Sequence, residues 1–155
     1  MPDEPPETQS FVSTPGSPEL DEPGVAIAFD AGAGGPFAPG EPILLHGTCG
    51  ATHAVVHRAG GRALAATALI VVRRDKPAGW LRPVLDTSRL APRPEPPEPP
   101  EDKRDALKEI SYFNVELARF LDLPDEPGRY WVMAALADWV SQRLTFEIVP
   151  PDGGP

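Results

Sequence analysis

Alternation of apolar and polar residues with a period of two is the feature that most constrains the fold of this chain. It recurs in short segments separated by Gly- and Pro-rich turns, a pattern typical of β-strands. The predicted strands are Val25–Asp30, Pro42–Cys49, Thr52–Arg58, Arg62–Arg74, Tyr112–Leu117, Tyr130–Asp138 and Leu144–Val149. About seven short strands with turn residues between them favour an all-β sandwich of two antiparallel sheets.

The 22 prolines and 14 glycines are concentrated in segments that cannot join a core. Residues 1–23 combine proline, acidic residues and Ser or Thr, and they hold too little apolar surface to offset the entropy of ordering. We therefore predict a disordered tail that folding does not need. The domain spans 24–150, and a flexible C-terminus follows at 151–155. A long connection at 76–106 contains the Pro- and Glu-rich segment 92–101, which favours extended polyproline II.

The residues before and after Tyr112 fit two structures. From Leu107 onward, apolar side chains recur at helical spacing with Asp105 in position to cap a helix. From Tyr112 onward, however, Phe113 and Val115 alternate cleanly with polar neighbours. We expect a strand from Tyr112, with at most one helical turn within 103–111.

Charge and cysteine content exclude several classes of protein. The formal net charge is -9, and residues 1–57 contain no Lys or Arg, so the chain is expected to repel nucleic acid. The uncharged stretch Ala63–Val72 is shorter than the roughly 20 residues of a membrane-spanning helix. Cys49 is the only cysteine, so no internal disulfide can form. The N-terminus lacks the basic and apolar regions of a secretory signal, and we expect a cytoplasmic protein.

The C-terminal third resembles a known superfamily. The run FNVELARFLDLPDEPGRYWVMAALADWVSQRLTFEIVPP is similar to the last three strands of bacterial immunoglobulin-like or fibronectin-type sandwiches, and PGEPILLHG at 39–47 resembles an early strand of those folds. Tyr130 takes the place of the aromatic residue at a strand start and resembles a tyrosine corner. The superfamily's paired cysteines are absent. The resemblance implies adhesion, scaffolding or recognition rather than catalysis.

All three histidines and the cysteine fall within HGTCGATHAVVH. If Gly50-Ala51 formed a two-residue turn, His46, His53 and His57 would share one sheet face and Cys49 would point to the other. Imidazole is a preferred ligand of zinc and copper, so these histidines are candidate ligands. In the alternative interpretation they are exposed histidines of an outer face, and Cys49 is a small buried hydrophobic residue.

The strand from Tyr130 is apolar on both faces, with Trp131 and Met133 on the face opposite Tyr130. A two-sheet domain supplies one core, so the second face needs another cover. We expect that cover from the chain's own Trp80–Leu90 segment, or from a protein partner. Trp80, Leu81, Trp131 and Met133 are therefore the candidate interaction surface.

The sequence gives little indication of phosphate binding or of nucleophilic catalysis. The Gly-rich DAGAGGPF is not followed by an amphipathic helix, as a phosphate-binding loop would require, and Ser88 near Asp86 lies in no nucleophile motif. We interpret the chain as a non-catalytic interaction or scaffolding module without a cofactor, which binds a protein partner or self-associates. The alternative hypothesis is a β-sandwich that binds zinc or copper, and the third hypothesis is an enzyme of unrecognised type.

Overall fold

Two antiparallel sheets packed face to face form the protein, seen here as a computed structural model that describes residues 9–30, 35–59, 63–85 and 97–150. In chain order the strands are β1 Gln9–Ser10, β2 Gly24–Phe29, β3 Leu44–Thr52, β4 Thr67–Arg73, β5 Gly79–Pro83, β6 Leu107–Glu116, β7 Gly128–Leu136, β8 Trp139–Val140 and β9 Leu144–Ile148. The first sheet has the order β1-β6-β3-β2. The second has the order β5-β4-β7, with β8 and β9 both pairing with the far edge of β7. The predicted all-β sandwich is confirmed.

Helical structure is short. The α-helices are α1, His53–Arg58, and α2, Leu117–Leu121, and single 3-10 turns cover Ala63–Ala66 and Glu101–Lys103. Within the described residues, no helix has the length and apolar character needed to cross a bilayer.

The core lies between the sheets and follows from the period-two alternation. On β7, Tyr130 and Val132 face inward and are fully buried, while Trp131 and Met133 on the outer face are only half-buried. The Tyr130 ring stacks on Phe146 with 5.0 Å between ring centroids, and Phe29 of the first sheet meets Phe146 edge-on at 5.9 Å. The Tyr130 hydroxyl donates to the carbonyl of Glu126 at 2.7 Å, which is the geometry of a tyrosine corner.

The predicted hairpin at Gly50-Ala51 is wrong. Both residues continue β3, where Gly50 pairs with Ile110 and Ala51 with Glu109 of β6. The chain leaves the sheet only after Thr52, whose Oγ1 accepts a hydrogen bond from the Val55 amide at 3.2 Å and caps α1. The segment predicted as strand Thr52–Arg58 is therefore mostly helical, because long-range pairing with β6 outweighs the local turn signal of one glycine.

The strand predicted from Tyr112 is confirmed, and it begins earlier than expected. β6 starts at Leu107, so 107–111 is strand and not helix. Of the residues with helical spacing, only those after the strand form a helix, α2. There Glu116 accepts a hydrogen bond from the Arg119 amide at 2.7 Å and caps the helix.

Two connecting segments differ from their predictions. Residues 9–23, which the sequence predicts to be a disordered tail, lie against the first sheet, and Gln9–Ser10 pair with β6. Of the segment Trp80–Leu90, expected to cover the outer face of the second sheet, residues 80–83 instead extend that sheet as part of its edge strand β5, and residues 86–90 lie outside the described residues. Residues 86–96, 1–8 and 151–155 lie outside the described residues.

Candidate functional site

The outer face of the second sheet carries three rows of mainly apolar side chains. In the strand register, Leu81, Ile70 and Met133 form the middle row. Pro83, Ala68, Ala135 and Val140 form the row on one side of it, and Val72, Trp131 and Thr145 form the row on the other. We call the apolar members of these rows the outer apolar face. Leu81 is 66% exposed and Val140 61% exposed.

The alternation of β4 and β7 explains why this face is apolar. Inward-facing Leu69 and Val71 are fully buried in the core, and Ile70 and Val72, which alternate with them, point outward and are half-buried. Both sides of the two central strands are therefore apolar, as is typical of strands covered on two sides. Among the described residues, only the inner side of these two strands is covered, by the first sheet.

The structure brings together three of the four residues that the sequence predicts as an interaction surface. Leu81, Trp131 and Met133 all lie on the outer apolar face. Trp80 does not, because it pairs with the buried Val71 and so points toward the core, where its ring lies 6.2 Å from the Tyr130 ring. The prediction that Trp80 covers the outer face is therefore wrong. β5 lies in the plane of the second sheet, and Trp80 points from it toward the core.

Trp131 lies between two arginines. The Cζ atom of Arg143 is 4.1 Å from the centroid of the indole, and that of Arg74 is 5.1 Å from it. These distances are within the range of cation–π attraction. Among the described residues, neither guanidinium forms an ion pair with a carboxylate. We call Arg74, Trp131 and Arg143 the arginine–tryptophan cluster.

Sequence reasoning missed the two arginines. Arg74 lies two residues beyond Val72 and Arg143 two residues before Thr145, so period-two alternation already assigns both to the outer side of their strands. Their meeting at Trp131 depends on β4 and β9 both pairing with β7. That pairing cannot be read from local spacing.

The candidate metal ligands are separated by the fold. His46 lies on β3 and the other two histidines lie on α1. Since β3 continues for six residues from His46 to Thr52, roughly 20 Å at the strand rise, His46 cannot share one ion with His53 or His57. The predicted sharing of one sheet face is therefore wrong. The described residues contain no group of three His, Cys, Asp or Glu side chains placed to hold a metal ion.

His46 has local partners instead. Its Nε2 lies 2.9 Å from Asp30 Oδ1, and its Nδ1 lies 2.7 Å from Asn114 Oδ1. Gly16 packs directly on the imidazole, where a Cβ atom would come within 2.6 Å of the ring. His46 is thus a buried connector between the first sheet and the segment that crosses it, not an exposed histidine.

Cys49 faces the core, as the sequence predicts. Its side chain is fully buried and its Sγ lies 3.5 Å from Thr67 Oγ1. Burial raises the pKa of the thiol to about 11. The thiol is therefore protonated near neutral pH, which makes it a poor nucleophile in this folded state.

Residues 9–23, which we call the covering segment, cross the outer face of the first sheet. Thr48 Oγ1 donates to the carbonyl of Pro18 at 2.6 Å. Asn114 Nδ2 donates to the carbonyl of Val12 at 2.8 Å and to Ser10 Oγ at 3.1 Å. These contacts leave Thr48 only 1% exposed.

Comparison of the chain with models of protein families gave no match, and comparison with curated proteins gave none. The resemblance to immunoglobulin-like and fibronectin-type sandwiches therefore stays a prediction, and the function has to be argued from the outer apolar face and the residues around it.

Proposed function

We propose that this protein is a non-catalytic interaction module that binds a protein surface through the outer apolar face of its second sheet. The observation that carries the proposal is the set of apolar rows on β4, β5, β7 and β8, which the described residues leave without a cover. A contiguous apolar patch on a folded protein is typical of a protein–protein contact.

The composition of the face supports a protein as its ligand. Tryptophan, methionine and arginine are enriched in protein interfaces, and tryptophan and arginine dominate their binding energy. The arginine–tryptophan cluster and Met133 put these residue types side by side. Leu81 and Val140 form the margins of the patch and are mostly exposed, so they are accessible to a partner.

Electrostatics define the kind of partner. The whole chain is acidic, with a formal net charge of -9, whereas the row of this face that contains Trp131 carries the two guanidinium groups of the cluster. A partner that presents carboxylates beside apolar groups would complement both features. A basic partner would be repelled by the positive charges of Arg74 and Arg143, which lie beside Trp131.

One pair of tryptophans allows a matched test. Trp131 is on the outer apolar face, whereas Trp139 of β8 pairs with the buried Leu136 and packs against the core. We expect Trp131→Ala to weaken association with the partner about thirtyfold or more, because truncating a hot-spot tryptophan costs about 2 kcal/mol or more. We expect Trp139→Ala to lower the melting temperature and leave association unchanged.

The measurement compares the tagged chain and its two variants, each used at the same concentration in extract of the native organism. The amount of each co-purifying protein is quantified, and sedimentation velocity of the purified chain reports self-association. Selective loss of a partner or of self-association in the Trp131 variant supports the proposal. Equal behaviour of the two tryptophan variants in both assays contradicts it.

A further inference from the structure

The imidazole of His46 faces an oxygen atom at each of its two nitrogens. Nε2 lies 2.9 Å from Asp30 Oδ1, and Nδ1 lies 2.7 Å from Asn114 Oδ1. The orientation of the Asn114 amide is set by its other contact, because Nδ2 donates to the carbonyl of Val12 at 2.8 Å and a carbonyl can only accept. The Asn114 oxygen therefore points at the ring, and Nδ1 of His46 has to donate the hydrogen bond between them.

The contact with Asp30 requires a second donor. The Asp30 side chain is 54% exposed, and near neutral pH a solvated carboxylate offers hydrogen-bond acceptors only. Neutral imidazole has one N–H group, whereas imidazolium has two. Because both ring nitrogens face acceptors, the geometry fits the imidazolium form of His46, and its bond to the carboxylate is charge-assisted.

Asp30 is the charged group that faces this imidazolium. It directly follows β2, which pairs with β3 on the side opposite to β6. Within the described part of the chain, no second carboxylate lies within ion-pair distance of the ring. The other titratable side chains on the described parts of the elements around His46 form no hydrogen bond with it; they are Glu19, Asp21 and Glu22 of the covering segment and Lys108, Glu109, Tyr112 and Glu116 of β6.

The covering segment lies directly on the imidazole. Gly16 packs where a Cβ atom would come within 2.6 Å of the ring, and Thr14 Oγ1 lies 3.3 Å from Nδ1. Apolar burial contributes little to holding this segment, since Phe11 is 38% exposed and Val12 61% exposed. Docking of the segment therefore depends on polar contacts with the first sheet, and the ring of His46 is at the centre of them.

We infer that His46 is a proton-dependent switch for the covering segment: as an imidazolium it holds the segment on the first sheet, and loss of one proton weakens that docking. Without the proton, the lone pair of Nε2 faces the Asp30 carboxylate, so the ring loses the bond that fixes its plane beneath Gly16. A detached segment leaves Thr48 and Asn114 open to solvent or to a partner. The inference concerns the first sheet and is independent of the contact proposed for the second.

The direction of the pH dependence follows from proton linkage. The docked state holds a proton on each ring nitrogen, whereas the detached state lets the imidazole lose one in the range where histidine ordinarily titrates, about pH 6.5. Docking is therefore favoured below that range and weakened as pH rises through it. Because one proton is released, the ratio of docked to detached segment falls by at most about tenfold for each pH unit.

The first experiment measures hydrogen exchange of residues 9–23 in the full chain at pH 6 and pH 8 by mass spectrometry, corrected for intrinsic exchange rates. We expect protection to fall about threefold or more between the two pH values in the parent chain. In Asp30→Asn the new amide can donate to an unprotonated Nε2, so protection should be equal at both pH values. His53→Gln is the matched control and should behave like the parent, because His53 lies on α1, away from the covering segment.

The second experiment records the ring nitrogens of His46 by NMR at pH 6, with the signals identified by their loss in His46→Gln. Two protonated nitrogens, together with a pH dependence that Asp30→Asn removes, support the inference. A ring with one protonated nitrogen overturns it, as does equal protection of the parent chain at both pH values. If the parent and Asp30→Asn lose protection equally, the carboxylate does not impose the proton and the switch is wrong. Asp30 is exposed, so its variant keeps the test decisive even if His46→Gln does not fold.

Discussion

The two outer faces of the sandwich differ in what covers them. On the first sheet, Thr48 is 1% exposed and His46 8% exposed, because the covering segment crosses them. On the second sheet, Leu81 is 66% exposed. The first face offers hydroxyl, amide and imidazole groups, to which a segment rich in Ser, Thr and Pro can hydrogen-bond. The second face offers alkyl groups and an indole, with which the same kind of segment can form few hydrogen bonds.

Among the described residues, the difference shows how composition decides which face of the sandwich another segment of the chain covers. A polar segment lowers its free energy on a polar sheet by satisfying specific donors and acceptors, such as the pair formed by Thr48 Oγ1 and the carbonyl of Pro18. An apolar sheet gains most from apolar contact, which the Pro- and acid-rich segments of this chain provide mainly through proline rings. The predictions below test this contrast.

Deleting the covering segment is expected to have the largest effect. Removal of residues 1–23 would lose the hydrogen bonds to Thr48 and Asn114 and re-expose the first sheet, whereas removal of 1–8 leaves all of them in place. These are three hydrogen bonds, and at about 1 kcal/mol for each we expect the longer deletion to lower stability by about 3 kcal/mol. Thermal denaturation of the two deletion variants measures it. Equal melting temperatures would support the tail that the sequence predicts, one that folding does not need.

A reciprocal exchange of valine and threonine should give an intermediate effect. Thr48→Val removes the hydrogen bond to Pro18 on the first face and should cost about 1 kcal/mol of stability. Val72→Thr makes the opposite change beside Trp131 on the second face, and we expect it to cost less than about 0.5 kcal/mol because that site is only half-buried. Urea denaturation gives both values. If Val72→Thr lowers the free energy of unfolding as much as Thr48→Val does, the proposed difference between the two faces is wrong.

Acid should produce the smallest effect, at the end of the second sheet. A hydrogen bond from Arg73 Nε lowers the pKa of Asp75, and a hydrogen bond from Lys76 together with the charge of Arg73 lowers the pKa of Glu126. Carboxylates with lowered pKa values stabilise the fold above their unfolded-state pKa, and that stabilisation is lost as pH falls through the folded-state pKa.

We therefore expect the free energy of unfolding to decrease as pH falls below about 5 and through the lowered folded-state pKa values, and Asp75→Asn to flatten that decrease. Asp138→Asn, in the exposed turn after β7, is the matched control. Urea denaturation at a series of pH values gives the slopes. Equal slopes in the two variants would exclude the Arg73–Asp75 ion pair as a source of acid sensitivity.

Local pattern determined much of this molecule. Period-two alternation predicts β2, β7 and β9 within two residues of their observed bounds, and it predicts the last residues of β4 and β6 to within one, because each strand presents a separate apolar row to one core. The first residues of β4 and β6 are each five residues from their predicted positions. The same alternation places Trp131 and Met133 on the outer side of β7 and leaves that side in need of a cover. Burial of Cys49 also follows from its position on the inner side of β3.

Only the tertiary structure decided the rest. Gly50-Ala51 has the composition of a turn, yet pairing with Ile110 and Glu109 of β6 keeps it in a strand and places His53 on a helix. The covering segment has too few apolar residues to be ordered by burial, and it finds its hydrogen-bond partners only where β3 and β6 have already brought Thr48 and Asn114 to one face. Arg74 and Arg143 meet at Trp131 through strand register alone. Each of these contacts joins residues distant in sequence, and local spacing carries no information about which distant strands will pair.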